Sequence, residues 1–335
     1  MHREANESPK VNRTPMGHRG QLQTAGLMAL NFCSAVGVVI VNKFLFRQAE
    51  GLRFATFLTA LHFLTTALGV RACHAAGVYE LRPLKHVQVL PITLSFCAFV
   101  VFNNLSLQHN GVSFYQLAKI LTTPAVVALQ LACFKVAIPL RLSATLVPIC
   151  VGVGLSTATD TEVSGKGAFW ALAGLLAAAG YQVLVKSTQE TLKVSSLQLL
   201  HFQAPQAAVL MLLVSPMFDD TAVVMSMLRS CSRPSFWSFS PAVERGGRGA
   251  LFWAGIVLVS CLLAFLVNLS TFLVIGRTSP VSYQVLGHFK LVVILAVGVT
   301  AFGERSSPTR LAGMALALTG IVWYTTLKQG LGSGW

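Results

Sequence analysis

The chain alternates between long apolar runs and short polar segments. A helix that crosses a bilayer needs about 20 mostly apolar residues. Runs of this kind predict ten spans, at residues 22–46, 54–76, 87–108, 113–136, 142–158, 167–187, 195–217, 249–276, 279–302 and 308–327. Because residues 109–112 alone separate the third run from the fourth, nine spans is the alternative count. The pattern predicts an all-α integral membrane protein of about ten transmembrane helices.

The polar segments indicate how the chain is placed in the bilayer. Residues 1–21 and 328–335 form predicted tails, and residues 218–248, rich in serine, proline, glycine and arginine, form a predicted disordered loop. An even number of spans puts both tails on one side. If that side is cytosolic, cytosolic segments carry 13 lysines and arginines against 10 on the other side. The positive-inside rule therefore favours cytosolic termini.

The composition excludes several classes of protein. Hydrophobic residues make up 54% of the 335 residues and charged residues 11%, which is far below the charged share of a soluble domain. The net charge of +14 comes from basic residues scattered between apolar runs, so no nucleic acid is predicted as a partner. The seven cysteines form no Cys-x-x-Cys pair, and no catalytic motif occurs. Neither an enzyme nor a cofactor or metal site is expected.

The second half of the chain repeats short motifs of the first half. Residues 22–158 and 167–327 would then be two repeats of five spans each. Because five is odd, the repeats insert in opposite orientations, which is the plan of many secondary transporters, with the substrate site at the repeat interface. The matching motifs are Asn104-Leu-Ser106 with Asn268-Leu-Ser270, Val112-Ser-Phe-Tyr-Gln116 with Val281-Ser-Tyr-Gln284, and Gly152 with Gly320.

Two lysines interrupt the predicted spans. Lys119 lies roughly 9 Å and Lys290 roughly 16 Å from the start of its predicted helix, at 1.5 Å per residue. A charge at such depth costs about 2.5–3.5 kcal/mol or more. Because no Asp or Glu lies in the interior of any predicted span, we expect both lysines to be buried and to bind an anionic ligand. The alternative is a lysine that reaches the interface or contacts helix carbonyls.

Polar and aromatic residues accompany the two lysines at helical spacing. Tyr115 and Gln116 precede Lys119 by four and three residues, so they share its face. Tyr283 precedes Lys290 by seven residues on the same stripe, whereas His288 lies on another face and is expected to be structural. The predicted substrate-binding set is Lys119, Lys290, Tyr115, Gln116, Tyr283, Gln284, Lys43, Gln203 and Asn268.

The stretches VSFYQLAKILTTP (112–124) and TSPVSYQVLGHFK (278–290), with the pair Asn42-Lys43, resemble the triose-phosphate/nucleotide-sugar translocator family of the drug/metabolite transporter superfamily. The closest likeness is to the E subgroup of solute carrier family 35, and it covers residues 22–327. The resemblance implies ten spans, cytosolic termini, a Golgi or other endomembrane, and strict exchange. It also implies that Lys119 and Lys290 hold the substrate's phosphate.

One departure from that family bears on the substrate. The plastid phosphate translocators place an arginine directly after the lysine of span nine, and this chain has Leu291 there. Without a bidentate guanidinium, a small sugar bound mainly by its phosphate is less favoured. A nucleotide sugar, whose base and ribose offer more contacts, is more favoured.

The predicted function is an exchanger of phosphate-bearing organic anions, a nucleotide sugar against a nucleoside monophosphate. Lys119 and Lys290 would neutralise the phosphates, and Tyr115 and Tyr283 would contact the base or sugar. The alternatives are a transporter of small phosphorylated metabolites or carboxylates, and a non-transporting membrane scaffold with a degenerate site. The expected partners are the substrate and the lipid bilayer, and a second copy of the chain is a further candidate.

Overall fold

The computed structural model describes residues 18–48, 54–109, 119–135, 138–157, 164–222, 250–302 and 307–330. These residues are almost entirely helical and contain no strand. The helices are α1 His18–Gln48, α2 Ala55–Ala75, α3 His86–His109, α4 Thr122–Phe134, α5 Leu140–Ala144, α6 Leu146–Thr157, α7 Gly165–Thr191, α8 Ser196–Phe218, α9 Ala250–Arg277, α10 Pro280–Phe302 and α11 Pro308–Gly330.

The helices confirm an all-helical integral membrane protein. Seven of the described helices are long and apolar enough to cross a bilayer, namely α1, α2, α3, α7, α8, α9 and α11. Two shorter apolar helices, Thr122–Cys133 and Leu140–Leu155, lie where spans four and five are predicted. The total of ten spans therefore stays a prediction. So do the turn at 109–112 and the disordered loop at 218–248, because residues 110–118 and 223–249 lie outside the described residues.

The antiparallel helices α2 and α8 are tied together at both ends. At the start of α2, Asp219 accepts hydrogen bonds from the backbone N–H groups of Thr56 (3.1 Å) and Phe57 (2.6 Å). At the other end, the Gln198 side chain donates to the backbone carbonyl of Glu80 (2.6 Å). There the Tyr79 hydroxyl lies 2.8 Å from Nδ1 of His201 in α8 and donates to the Val70 carbonyl.

Tyr79 lies in the loop between α2 and α3, outside the helices. Burial raises the pKa of Tyr79 to about 12, so the phenol keeps its proton and stays a donor at neutral pH. The ties at both ends hold α2 and α8 as one unit.

The helix pairing has a simple symmetry. Helix α1 packs along α9, α3 packs along α7, α2 pairs with α8, and α6 pairs with α11. The largest apolar core lies between α2, α3, α7, α8 and α9. In the predicted numbering, α1 and α9 are spans one and eight, and α3 and α7 are spans three and six. Exchanging each span with the span five places earlier or later therefore turns the α1–α9 pair into the α7–α3 pair. The same exchange maps α2–α8 and α6–α11 onto themselves, as two interlocked inverted repeats would require.

The matched glycines Gly152 and Gly320 both lie at the crossing of α6 and α11. A Cβ atom on Gly152 would lie 2.6 Å from the Gly313 carbonyl oxygen, and one on Gly320 would lie 2.9 Å from the Ile149 backbone nitrogen. Both contacts are with backbone of the opposite helix, which cannot move aside as a flexible side chain can. These glycines let the two helices approach closely, as small residues commonly do in membranes.

Candidate functional site

The ammonium group of Lys290 is held by two uncharged partners. Lys290 is half-buried in α10, and its Nζ donates a 2.9 Å hydrogen bond to Oδ1 of Asn31 in α1. The ring of Tyr283 lies beneath it, with the ring centroid 5.1 Å from Nζ. This cation–π contact confirms that Tyr283 shares a stripe with Lys290. Nothing in the described part of the chain neutralises Lys290, since an amide oxygen and an aromatic face carry no net charge.

Asn31 joins three helices at this point. Its side chain is completely buried. The Nδ2 atom donates to Oγ of Ser270 (2.9 Å) and Oγ1 of Thr271 (3.1 Å), both in α9. Oγ1 of Thr271 in turn lies 3.3 Å from the Tyr283 hydroxyl. Because an ammonium only donates, the amide must point its oxygen at Lys290 and its nitrogen at the hydroxyls.

Lys119 lies differently from the sequence prediction. It is exposed, not buried, and lines a small cleft, with room for about one water molecule, that is open in part to the outside. The cleft is walled by Phe99 and Asn103 of α3, Thr122 of α4, and Ala171, Gly174, Leu175 and Ala178 of α7. The physical reason is that α7 packs closely on α3, since a Cβ atom on Gly174 would lie 2.7 Å from Oδ1 of Asn103, so the cleft is too small to enclose the Lys119 side chain. The expectation that both lysines are buried is therefore wrong for Lys119.

The segments that carry the two lysines contact each other directly. Oγ1 of Thr123, four residues after Lys119, lies 2.6 Å from Nε2 of His288, two residues before Lys290. His288 is almost completely buried, which agrees with the structural role expected for it. The cleft and the Lys290 network also border the same core, because Phe99 and Tyr283 both pack against the largest apolar cluster. The structure thus places Lys119 and Lys290 at the border of one core.

The other predicted site residues divide into three groups. Gln203 and Gln284 are buried. Both amide atoms of Gln203 lack a hydrogen-bond partner among the described residues. Asn268 donates through Nδ2 to Oγ1 of Thr66 (3.0 Å) and so joins α9 to α2. The remaining three, Tyr115, Gln116 and the side chain of Lys43, lie outside what the structure describes.

Sequence reasoning missed Asn31, Ser270 and Thr271 as members of the site. Ser270 belongs to a repeated motif, but nothing in the sequence indicates that its hydroxyl accepts a hydrogen bond from Asn31. Asn31 is one of several neutral polar residues in the first apolar run, among them Ser34 and Asn42. Such a residue more often makes an ordinary contact between helices. Its partner Lys290 lies 259 positions away, a distance that no local spacing rule reaches.

Comparison with known proteins decides the family. Residues 22–325 match the Triose-phosphate Transporter family. The chain belongs to this family. This membership implies a transporter and not an enzyme, and it agrees with the resemblance predicted from the motifs around Lys119 and Lys290.

Proteins named for the sugar nucleotides they transport are similar to the chain over most of its length. UDP-xylose transporter 1 of Arabidopsis thaliana is 32% identical over 91% of this chain and 84% of its own length. UDP-rhamnose/UDP-galactose transporter 1 of the same plant is 30% identical over 92% of this chain and 84% of its own length. A solved crystal structure matches with a TM-score of 0.67 at 15% identity, over 92% of this chain and 99% of the other. That last likeness shows the fold alone.

Proposed function

We propose that the protein is a transmembrane exchanger that carries a nucleotide sugar in one direction and a nucleoside monophosphate in the other. The observation that carries this proposal is the half-buried Lys290, whose described partners are uncharged. A cation removed from water without a counter-ion is costly unless a ligand supplies the negative charge. Relatives that are 32% and 30% identical over nine-tenths of the chain are named as UDP-sugar transporters, which supports a nucleoside diphosphate sugar as that ligand.

Each part of the ligand finds a chemically suitable group. The phosphates bind Lys290 and Lys119. The hydroxyl and ring of Tyr283 lie beside Lys290 for contact with the sugar or the base. The amides of Gln203 and Gln284 offer both a donor and an acceptor, as the edge of a base requires. Gln203 is buried with no partner of its own among the described residues.

Strict exchange follows from the same charge. Alternating access requires the site to close off from one side before it opens to the other. With no anion present, closure would desolvate the ammonium of Lys290 at a cost that the neutral partners do not offset. With a phosphate bound, the pair closes as a neutral unit. The loaded carrier therefore reorients faster than the empty one.

The proposed architecture places this site between two inverted repeats, residues 22–158 and 167–327. The symmetric helix pairs α1–α9 and α3–α7 support that division. The termini are proposed to be cytosolic and the membrane a Golgi or other endomembrane, with a second copy of the chain as a candidate partner.

A thermal-shift screen of the purified protein tests the proposed ligand. A ligand at about 100 times its Kd stabilises the folded state by about 2.7 kcal/mol. We expect UDP-sugars and UMP to raise the melting temperature in a concentration-dependent way. The Lys290→Ala variant should fold and lose the shift. The matched control Lys166→Ala removes an exposed lysine at the start of α7 and should keep it.

Other outcomes of the screen would point elsewhere. A shift with phosphoenolpyruvate but not with nucleotides would replace the proposed substrate by a small phosphorylated metabolite. No shift with any phosphate compound would favour a non-transporting role. An equal loss of the shift in both lysine variants would show that Lys290 has no special part in binding.

A further inference from the structure

Asn31 occupies the position that an anion would take beside Lys290. Its Oδ1 atom lies 2.9 Å from Nζ of Lys290, which is a normal length for a hydrogen bond from an ammonium. An amide oxygen and a phosphate oxygen accept the same hydrogen bond, but the amide oxygen has no net charge. The resting site thus offers Lys290 the geometry of its ligand without the charge.

The surroundings fix the amide in this orientation. The nitrogen of Asn31 is held by hydroxyls of Ser270 and Thr271. Those hydroxyls have few alternatives, because Ser270 donates its own proton to the Leu266 carbonyl (2.6 Å) and is completely buried. A flipped amide would put its NH₂ group against the ammonium. It would also put its oxygen against the Ser270 hydroxyl, whose proton is already donated to the Leu266 carbonyl. The oxygen is therefore locked towards Lys290.

We propose that Asn31 is a positioning residue that holds Lys290 ready in the empty site, and that its neutrality couples transport to the substrate. The inference rests on the proposed exchange function. A neutral acceptor keeps the ammonium directed into the site but leaves its charge for the ligand to neutralise. When a phosphate arrives, Lys290 transfers its hydrogen bond from Asn31 to the phosphate. A charged residue in the place of Asn31 would neutralise Lys290 permanently.

Two substitutions of nearly equal size separate geometry from charge. Asn31→Asp keeps the shape and the acceptor oxygen but adds a carboxylate beside Lys290. That carboxylate competes with the phosphate and lets the empty site close without an unneutralised cation. Asn31→Leu keeps the volume in an apolar span but removes the acceptor and adds no charge. A role confined to packing would make the two variants behave alike.

The experiment uses the full chain in proteoliposomes, with UDP-xylose as the labelled external substrate and UMP inside or absent. In the wild type, uptake should depend on internal UMP. Asn31→Asp should raise uptake into vesicles without UMP to about the same order as uptake into loaded vesicles. It should also raise the half-saturating concentration of UDP-xylose about tenfold or more, because the added carboxylate competes with the phosphate for Lys290. Asn31→Leu should keep the dependence on UMP, because it adds no charge, and should raise the half-saturating concentration only about the few-fold that one lost positioning hydrogen bond is worth.

Three outcomes would overturn the inference. One is an Asn31→Asp variant that stays strictly dependent on internal UMP. The second is an equal effect of both variants on the half-saturating concentration. The third, which decides the matter if Asn31→Asp does not fold, is an Asn31→Leu variant whose uptake no longer depends on internal UMP.

The two proposals fail in different ways. A wild type that moves no nucleotide sugar refutes the proposed substrate, whereas a wild type that exchanges normally alongside insensitive Asn31 variants refutes only the role of Asn31. The melting-temperature response of the same variants to UMP gives a readout that requires no transport. There, Asn31→Asp should need about tenfold more UMP than wild type for the same shift, and an unchanged requirement would count against the inference.

Discussion

The carboxylate of Asp219 offers a sharp test of what holds the helices together. It is 9% exposed and accepts three hydrogen bonds, from the backbone N–H groups of Thr56 (3.1 Å) and Phe57 (2.6 Å) and from the Ser215 hydroxyl (3.0 Å). Helix α2 has no other side-chain cap, since Phe54 precedes it. Hydrogen bonds to a charged acceptor contribute about 1.5–3 kcal/mol each. Because the exposed residue Ala55 lets water reach the first turn, we take the lower value for the two backbone bonds, about 3 kcal/mol together.

Thermal unfolding of the purified variants in detergent measures this loss. One kcal/mol shifts the melting temperature of a chain of moderate size by about 2 °C, so Asp219→Ala should melt about 6 °C below the wild type. Asp219→Asn keeps one acceptor oxygen and should fall in between. The neighbouring Asp220 is exposed and accepts one bond, from the Ala222 N–H, so Asp220→Ala should stay within about 1 °C. Equal melting temperatures for the Asp219 and Asp220 variants would refute this account of the α2–α8 tie.

Two further substitutions test the packing and the site. Gly152→Val should destabilise the protein by about 1–3 kcal/mol or more, because a Cβ there would lie 2.6 Å from the Gly313 carbonyl oxygen; the melting temperature measures it, and a wild-type value would show that α6 and α11 can separate. Gln203→Leu should raise the melting temperature, because an unsatisfied buried polar group costs about 1–3 kcal/mol. The same variant should weaken the thermal shift by UDP-sugars, and an undiminished shift would remove Gln203 from the site.

The sequence predicted the helices well where a single apolar run makes a single helix. The run at 195–217 corresponds to Ser196–Phe218, and the run at 54–76 corresponds to Ala55–Ala75. It predicted less well where polar or proline residues interrupt a run. The predicted span 142–158 is divided at Thr145, where α5 ends and α6 begins. Hydropathy averages over about 20 residues and so does not register a break of one residue.

The site shows a similar division between what one sequence can and cannot reveal. Lys290 was predictable because a charge in an apolar run is costly. Asn31 was not, since a neutral amide in a span costs little and its role depends on a contact between α1 and α10. The sequence places Asp219 in a predicted loop, because serine, proline and glycine follow it. Its capping of α2 exists only because the end of α8 folds back onto the start of α2, 163 residues earlier.

In the proposed repeats, the two lysines lie among equivalent helices, but these helices supply different residues. Lys290 is surrounded by α1, α9 and α10, and Lys119 by their counterparts α7, α3 and α4. Helix α1 supplies Asn31 and fills the space beside Lys290. Its counterpart α7 supplies glycine and alanine, which let it pack closely on α3 and leave only a small cleft beside Lys119. The two lysines are therefore held differently, Lys290 half-buried against a neutral amide acceptor and Lys119 at an opening to the outside. In the proposed exchanger, Lys290 rather than Lys119 then carries the cost of closing the empty site, because Lys290 is the one of the two that is removed in part from water.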